Sequence, residues 1–88
     1  MLFRSNALGP LQIHEIYFRD SRVAGRYEQV SDFNFARRVV TGYLQRYAPE
    51  AWERGDVETL ARIHNGGPRG AQKPQTKSYA QRVMRKMK

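Results

Sequence analysis

Between Ser31 and Pro49 apolar residues recur at helical spacing: Phe33, Ala36, Val40, Tyr43 and Tyr47, flanked by Val39 and Leu44. Steps of three and four residues gather side chains on one face of an α-helix but scatter them over both faces of a strand, so the pattern selects a helix. Ser31 or Asp32 supplies a side-chain oxygen for the first free amides, and Pro49 ends the run. Gly42 inside it costs about 1 kcal/mol relative to Ala, which implies close packing against another helix. Arg37, Arg38, Gln45 and Arg46 take the polar side. This is expected to be the central helix of the core. With 88 residues and no cysteine, that core must be built from packing alone, in a single domain spanning 1–88.

The rest of the chain is read around this helix. Gly9-Pro10 marks a turn, and Ser5-Asn6 can cap or turn the segment before it. Leu11 to Arg22 reads as a short helix with Leu11, Ile13, Ile16, Tyr17 and Phe18 as apolar members, Pro10 in its first turn and an i,i+4 pair from Glu15 to Arg19. Gly25 closes it, and Arg22 to Val30 is loop. Pro49 to Arg54 forms a helical turn carrying Trp52, with Gly55 as its stop. Asp56 caps a helix leading to His64, and Gly66 to Gln75 is loop. Thr76 caps a last helix whose Tyr79, Val83 and Met87 lie one turn apart. The fold class is therefore all-α, four to five helices.

The helix leading to His64 stops abruptly at Ala61-Arg-Ile-His-Asn-Gly-Gly-Pro-Arg-Gly70. Asn65 and Gly66 suit left-handed backbone angles, Gly67 allows close approach of a backbone or a ligand, and Pro68 blocks resumption. One reading is a plain helix stop; the other is that His64 and Asn65 are presented at a cleft edge. The stretch resembles the invertebrate-type lysozymes, in which Ala-Arg-Ile-His-Asn-Gly-Gly-Pro is followed by a Tyr about ten residues on, as Tyr79 is here. It is also similar to the Ala-Tyr-Asn-Ala-Gly motif of lytic transglycosylases. Ala7-Leu-Gly-Pro-Leu-Gln-Ile13 resembles the Gly-x-x-Gln-Ile segment of both groups. The resemblance covers residues 5–84, leaving 1–4 and 85–88 as expected frayed ends. It implies a lysozyme-like helical domain, truncated at the N-terminus, of the muramidase type. Animal members are cysteine-rich, so the absence of cysteine points to a bacterial or phage relative.

Glycoside cleavage in such folds needs a carboxylic acid of raised pKa at the leaving oxygen. In the resembled families that acid is a Glu ahead of the Gly-x-x-Gln-Ile segment. Here Met1 to Asn6 contain no carboxylate, and the second carboxylate of the animal enzymes would fall near Leu2. The resemblance thus implies a chain that does not hydrolyse glycan by itself and has no assigned catalytic residue. Substitute acids are Glu15 and Asp20, which match the family's Gln-Ile-x-Glu-x-Tyr-x-x-Asp pattern with Gln12, Ile13 and Tyr17. A Ser–His pair is the other candidate, since some members show isopeptidase activity: His64 matches its histidine, and of two serines one aligns with Ser5 and the other with Ala7. What survives is a glycan-facing set: Gln12, Tyr17, His64, Asn65, Gly66, Gly67 and Tyr79. Tyr43 is expected in the core. His14 and His64 are the only imidazoles and have no carboxylate at ligand spacing, so neither metal nor cofactor is expected.

The net charge is +8, and no acidic residue follows Glu58. Peptidoglycan or another N-acetylated glycan is the partner the resemblance implies, and family members act on the cell wall. Arg62, Arg69, Lys73, Lys77, Arg82, Arg85 and Lys86 add a possible anionic polymer or nucleic acid. The alternative function is accordingly a small basic nucleic-acid-binding protein on the same scaffold. No signal peptide or transmembrane run is visible. Loss of a covering N-terminal helix would bare Phe35, Val39 and Leu44 beside the first apolar line, which predicts a homodimer.

Overall fold

The computed structural model describes residues 7–87. Among them five α-helices occur: α1 (Glu15–Ser21), α2 (Phe33–Tyr47), α3 (Pro49–Arg54), α4 (Val57–Gly66) and α5 (Thr76–Lys86). Two 3₁₀ turns, Tyr27–Ser31 and Gly70–Gln72, lie between them. No strand forms among the described residues, and no helix there is long and apolar enough to cross a membrane. The fold is all-α, as the periodicities require. The chain forms two compact units, residues 1–43 and 44–88.

The first unit is built on Ile13, Phe18, Val30, Phe35, Ala36 and Val39, with Leu8, Leu11, Tyr17, Val23, Tyr27 and Val40 packed at the margin. Asp32 starts α2 as expected: its carboxylate accepts from the Phe35 amide at 2.9 Å and its carbonyl from the Ala36 amide at 2.9 Å. The buried stripe of α2 is not the one read from the sequence. Phe35, Ala36, Val39, Tyr43 and Leu44 are buried, whereas Phe33 is 51% exposed. Phe33 is the first helical residue, and its ring lies under the Arg37 guanidinium at 5.9 Å instead of in the core. The second apolar line is therefore covered within the chain, which removes the exposed patch on which a homodimer was expected. Gly42 is explained as a close approach: a Cβ there would stand 3.0 Å from the Ser21 carbonyl oxygen and 3.1 Å from a Val23 methyl.

The expected helix from Leu11 is shorter, beginning at Glu15. Leu8 to Ile13 instead form a tight reversal, closed by Leu8 N–H to Ile13 C=O at 3.0 Å and Ile13 N–H to Leu8 C=O at 2.9 Å. Gly9 and Gln12 take positive φ (78° and 53°), so Pro10 sits in a turn and not in a helix. α1 ends at Ser21 on a left-handed Arg22 (φ 62°), ahead of Gly25. Its Ile16 is 72% exposed, and only Phe18 of its apolar members is fully buried. The Glu15–Arg19 pair forms at 3.0 Å.

In the second unit α3 and α5 pack on α4, and the Gly70–Gln72 turn packs on both α4 and α5. Ala48, Ala51, Ala61, Ile63 and Ala80 are buried there. Pro49 opens α3 in its first turn, where its missing N–H costs nothing. Asp56 caps α4 through the Thr59 amide at 3.2 Å and the Thr59 hydroxyl at 2.8 Å. Those bonds, with the Arg54 guanidinium at 3.0 Å, hold its carboxyl below the usual range.

Candidate functional site

The last turn of α4 and the segment after it make the candidate site. α4 runs through Asn65 and Gly66, both helical, and it is Gly67 that leaves the helix (φ 90°, ψ −171°) while its amide still donates to the Ile63 carbonyl at 2.8 Å. The left-handed role expected of Asn65 and Gly66 thus falls on Gly67, because the helix continues one residue further than Asn65 suggested. The Lys73 ammonium donates to the Gly66 carbonyl at 2.7 Å, where a cation satisfies the open C-terminal end of the helix.

The stretch after Gly67 is tied back by one buried hydroxyl. Thr76 is fully buried. Its Oγ1 accepts from Arg62 Nε at 2.8 Å and lies 2.7 Å and 2.8 Å from the Gly70 and Lys73 carbonyl oxygens, which share its proton. Arg62 also donates to the Lys73 carbonyl at 3.0 Å and lies 3.9 Å from Glu58. Thr76 is therefore the first residue of α5 and an internal tie, not the cap expected of it; the N-cap is Gln75. Gly70 is needed for the same closure, since a Cβ there would run into the Arg62 carbonyl and stand 2.9 Å from Ile63 Cα. A Cβ on Gly66 would meet the Thr76 methyl at 2.7 Å, so that space is already filled from within.

His64 is half-buried, with its ring centroid 6.3 Å from that of Tyr79 at 41°. Burial lowers its pKa below the ordinary 6.5. Taking the ring out of water disfavours the charged imidazolium. His64 is therefore mostly neutral at neutral pH, and a neutral imidazole carries one donor and one acceptor nitrogen. Tyr79 is half-buried and its pKa is raised by burial, offset in part by Arg82, whose guanidinium lies 6.0 Å above the ring. Asn65 is exposed on the same turn.

Five of the seven expected glycan-facing residues, His64, Asn65, Gly66, Gly67 and Tyr79, thus lie in the second unit, around the end of α4. Gln12 and Tyr17 lie in the first. The Gln12 side-chain amide donates to the Gly9 carbonyl at 3.1 Å and serves its own turn. Tyr17 stacks on buried Tyr43 at 3.7 Å and 7°, so the ring face expected to meet sugar packs on the core. Glu15 is exposed and paired with Arg19, unlike the water-excluded carboxyl that a general acid requires. Asp20 is half-buried. Ser5 lies outside the described residues. Among those residues no cluster of three His, Asp or Glu side chains could hold a metal ion.

The basic set divides. Arg62 is half-buried and spent on internal bonds, whereas Lys73 makes one internal bond and stays exposed. Arg69, Lys77, Arg82, Arg85 and Lys86 are exposed. The Arg62–Thr76 tie is the part of the site that residue patterns alone did not reveal; its one signal was a Thr just after Pro74.

The chain is similar to the lysozyme of Ostrea edulis, with 36% identity over 78 residues, covering 86% of this chain and 57% of that protein. It is similar to the lysozyme of Magallana gigas at 36% over 81 residues, covering 90% and 59%. The lysozyme of Meretrix lusoria matches at 35% over 83 residues, covering 92% and 68%. The chain therefore spans less than three fifths of the two oyster proteins. No protein-family model matches it, and no solved structure matches it significantly.

Proposed function

The chain belongs to the lysozyme-like family, on the side of the invertebrate-type lysozymes, and from that premise we propose that residues 1–88 recognise an N-acetylated cell-wall glycan, peptidoglycan or chitin-type, without cleaving it by themselves. The observation that carries the binding half is the end of α4. A neutral, half-buried His64 sits beside the Tyr79 ring, next to an exposed Asn65 and the bare backbone of Gly67. An imidazole and an amide can donate to and accept from acetamido and hydroxyl groups, and a tyrosine ring offers a flat apolar edge to a sugar.

The carboxylates support the second half. Glu15 is ion-paired in solvent, Asp32 and Asp56 cap helices, and Glu58 lies near Arg62. A general acid instead needs apolar surroundings that keep a carboxyl protonated near neutral pH.

The test is sedimentation with insoluble peptidoglycan and with chitin, alongside a wall-turbidity assay. We expect binding without clearing. His64→Ala and Asn65→Ala should each weaken binding about fivefold, the worth of one net hydrogen bond, and Asn65→Ala should do so with unchanged melting temperature. Binding that survives both substitutions would overturn the reading of this turn. Clearing that Glu15→Gln abolishes would overturn the non-hydrolytic half.

A further inference from the structure

Asn65 is followed directly by Gly66, and an asparagine before a glycine is open to a reaction of its own backbone. The Gly66 nitrogen attacks Cγ of the Asn65 side chain. An N–Cγ bond forms and the Cγ–Nδ2 bond breaks. The Gly66 N–H proton passes to the departing nitrogen, and ammonia leaves behind a five-membered succinimide. Water then opens the ring at either carbonyl, giving aspartate, or isoaspartate with the main chain rerouted through Cβ and Cγ. Glycine favours the closure because no Cβ shields the attacking nitrogen.

The structure both exposes this pair and restrains it. Asn65 is exposed, so water reaches its amide. Gly66 cannot be exchanged for a larger residue without a clash, since a Cβ there would meet the Thr76 methyl at 2.7 Å. Both residues, however, lie in the last turn of α4. Helical backbone angles turn the Gly66 amide back along the helix, and the ring closes only when Asn65 ψ leaves its helical value. That turn is held from outside as well as from within. The Gly67 amide donates to the Ile63 carbonyl at 2.8 Å, the Lys73 ammonium holds the Gly66 carbonyl at 2.7 Å, and the Thr76 methyl packs against Gly66.

We infer that Asn65 is a self-modification site, closed while Lys73 and Thr76 keep the last turn of α4 helical and opened when that turn unwinds. The change is one-way. Aspartate puts a negative charge at the negative end of the helix, which disfavours the turn. Isoaspartate adds a carbon to the main chain, which breaks the helical register. Either product loosens the turn that positions the segment after Gly67. The inference rests on backbone chemistry and stands whether or not Asn65 contacts a glycan.

The experiment incubates the 88-residue chain at pH 8 and 37 °C, folded in buffer and unfolded in urea. Conversion of the Asn65 amide to a carboxyl is followed by peptide mass spectrometry, and isoaspartate by enzymatic methylation. We expect conversion at Asn65 to be at least about tenfold faster in urea, because unfolding frees the turn from the charge-assisted bond to Lys73 and the packing of Thr76. In buffer, Lys73→Met and Thr76→Val should each convert about threefold to tenfold faster than the wild type, the worth of one net hydrogen bond. Asn65→Gln should not convert in the same time, since its longer side chain has to close a six-membered ring. Circular dichroism checks that each variant is folded, and Lys73→Met, an exposed position, carries the test should Thr76→Val lose its helicity. Absence of conversion at Asn65 in urea overturns the site. Equal rates in buffer and urea overturn the protection by α4, and a folded Lys73→Met chain that converts at the wild-type rate overturns the hold assigned to Lys73.

Discussion

Replacing Thr76 by Val keeps the shape of the buried side chain and removes its oxygen. In the structure that oxygen takes the Arg62 Nε proton at 2.8 Å and gives its own proton to the Gly70 and Lys73 carbonyls at 2.7 Å and 2.8 Å. The Lys73 carbonyl keeps partners in Arg62 and in the Thr76 amide, at 3.0 Å and 3.1 Å. The Gly70 carbonyl loses the Thr76 hydroxyl but keeps the Lys73 amide at 3.1 Å. The heavier loss is at Arg62 Nε, a charged donor whose side chain is 15% exposed. A hydrogen bond to a charged group contributes about 1.5–3 kcal/mol, and a neutral one about 1 kcal/mol. The expected cost is therefore about 2–3 kcal/mol. For a domain of this size that corresponds to roughly 8–24 °C in melting temperature, followed by circular dichroism at 222 nm. A cycle with Arg62→Leu isolates the pair, and a coupling of about 1–2 kcal/mol is expected between groups in direct contact. Loss of less than about 0.5 kcal/mol in Thr76→Val, or additive effects in the double variant, would refute the claim that this hydroxyl ties the segment after Gly67 to α4.

Gly70→Ala should destabilise by at least 2 kcal/mol in the same melting assay, because the new methyl meets the Arg62 carbonyl and Ile63 Cα, both backbone atoms that cannot swing aside. His64 gives the pH dependence: its folded pKa lies below the ordinary 6.5, so its contribution is fully present above pH 6.5 and is lost as pH falls from there through the folded value. Melting temperature should drop between pH 7.5 and 5.5 in the wild type, and His64→Gln should flatten that interval. An equal drop in both would assign it to other groups.

The elements with strong local signals were legible. The 3.6-residue period of α2, the Asp32 and Asp56 caps and the proline before α3 each act within one turn of chain, so local rules reach them. The reversal at Leu8–Ile13 was not. It depends on Gln12 holding φ 53°, a conformation uncommon for a residue with a Cβ, and Pro10 fits a helix start and a turn equally well. Tyr27–Ser31 has no period to detect; it is positioned by the Gln29 side chain accepting from the Arg26 amide and by the Tyr27 hydroxyl donating to the Ile13 carbonyl at 2.6 Å, fourteen residues away. The exposure of Phe33 and Ile16 is likewise a matter of which face meets neighbours, which spacing alone leaves open by a third of a turn.

The site divides along the same line. That Ala61–Gly70 ends a helix, and does so beside an imidazole, follows from residue types; what each glycine is for does not. Only Gly67 uses its freedom to take positive φ. Gly66 and Gly70 are small because Thr76 and the Arg62 carbonyl press against them, and those partners come from α5 and from the turn before, beyond any local rule. Room that looks reserved for a ligand is thus filled from inside the unit. The outward chemistry reduces to the exposed Asn65, the edge of His64 and the Tyr79 ring under Arg82. Because Thr76 and Arg62 fix where those groups stand, a substitution at Thr76 should weaken glycan binding only in step with the unfolding of this segment. A substitution at Asn65 should weaken it with the segment intact, and that contrast separates the frame of the site from its contact surface.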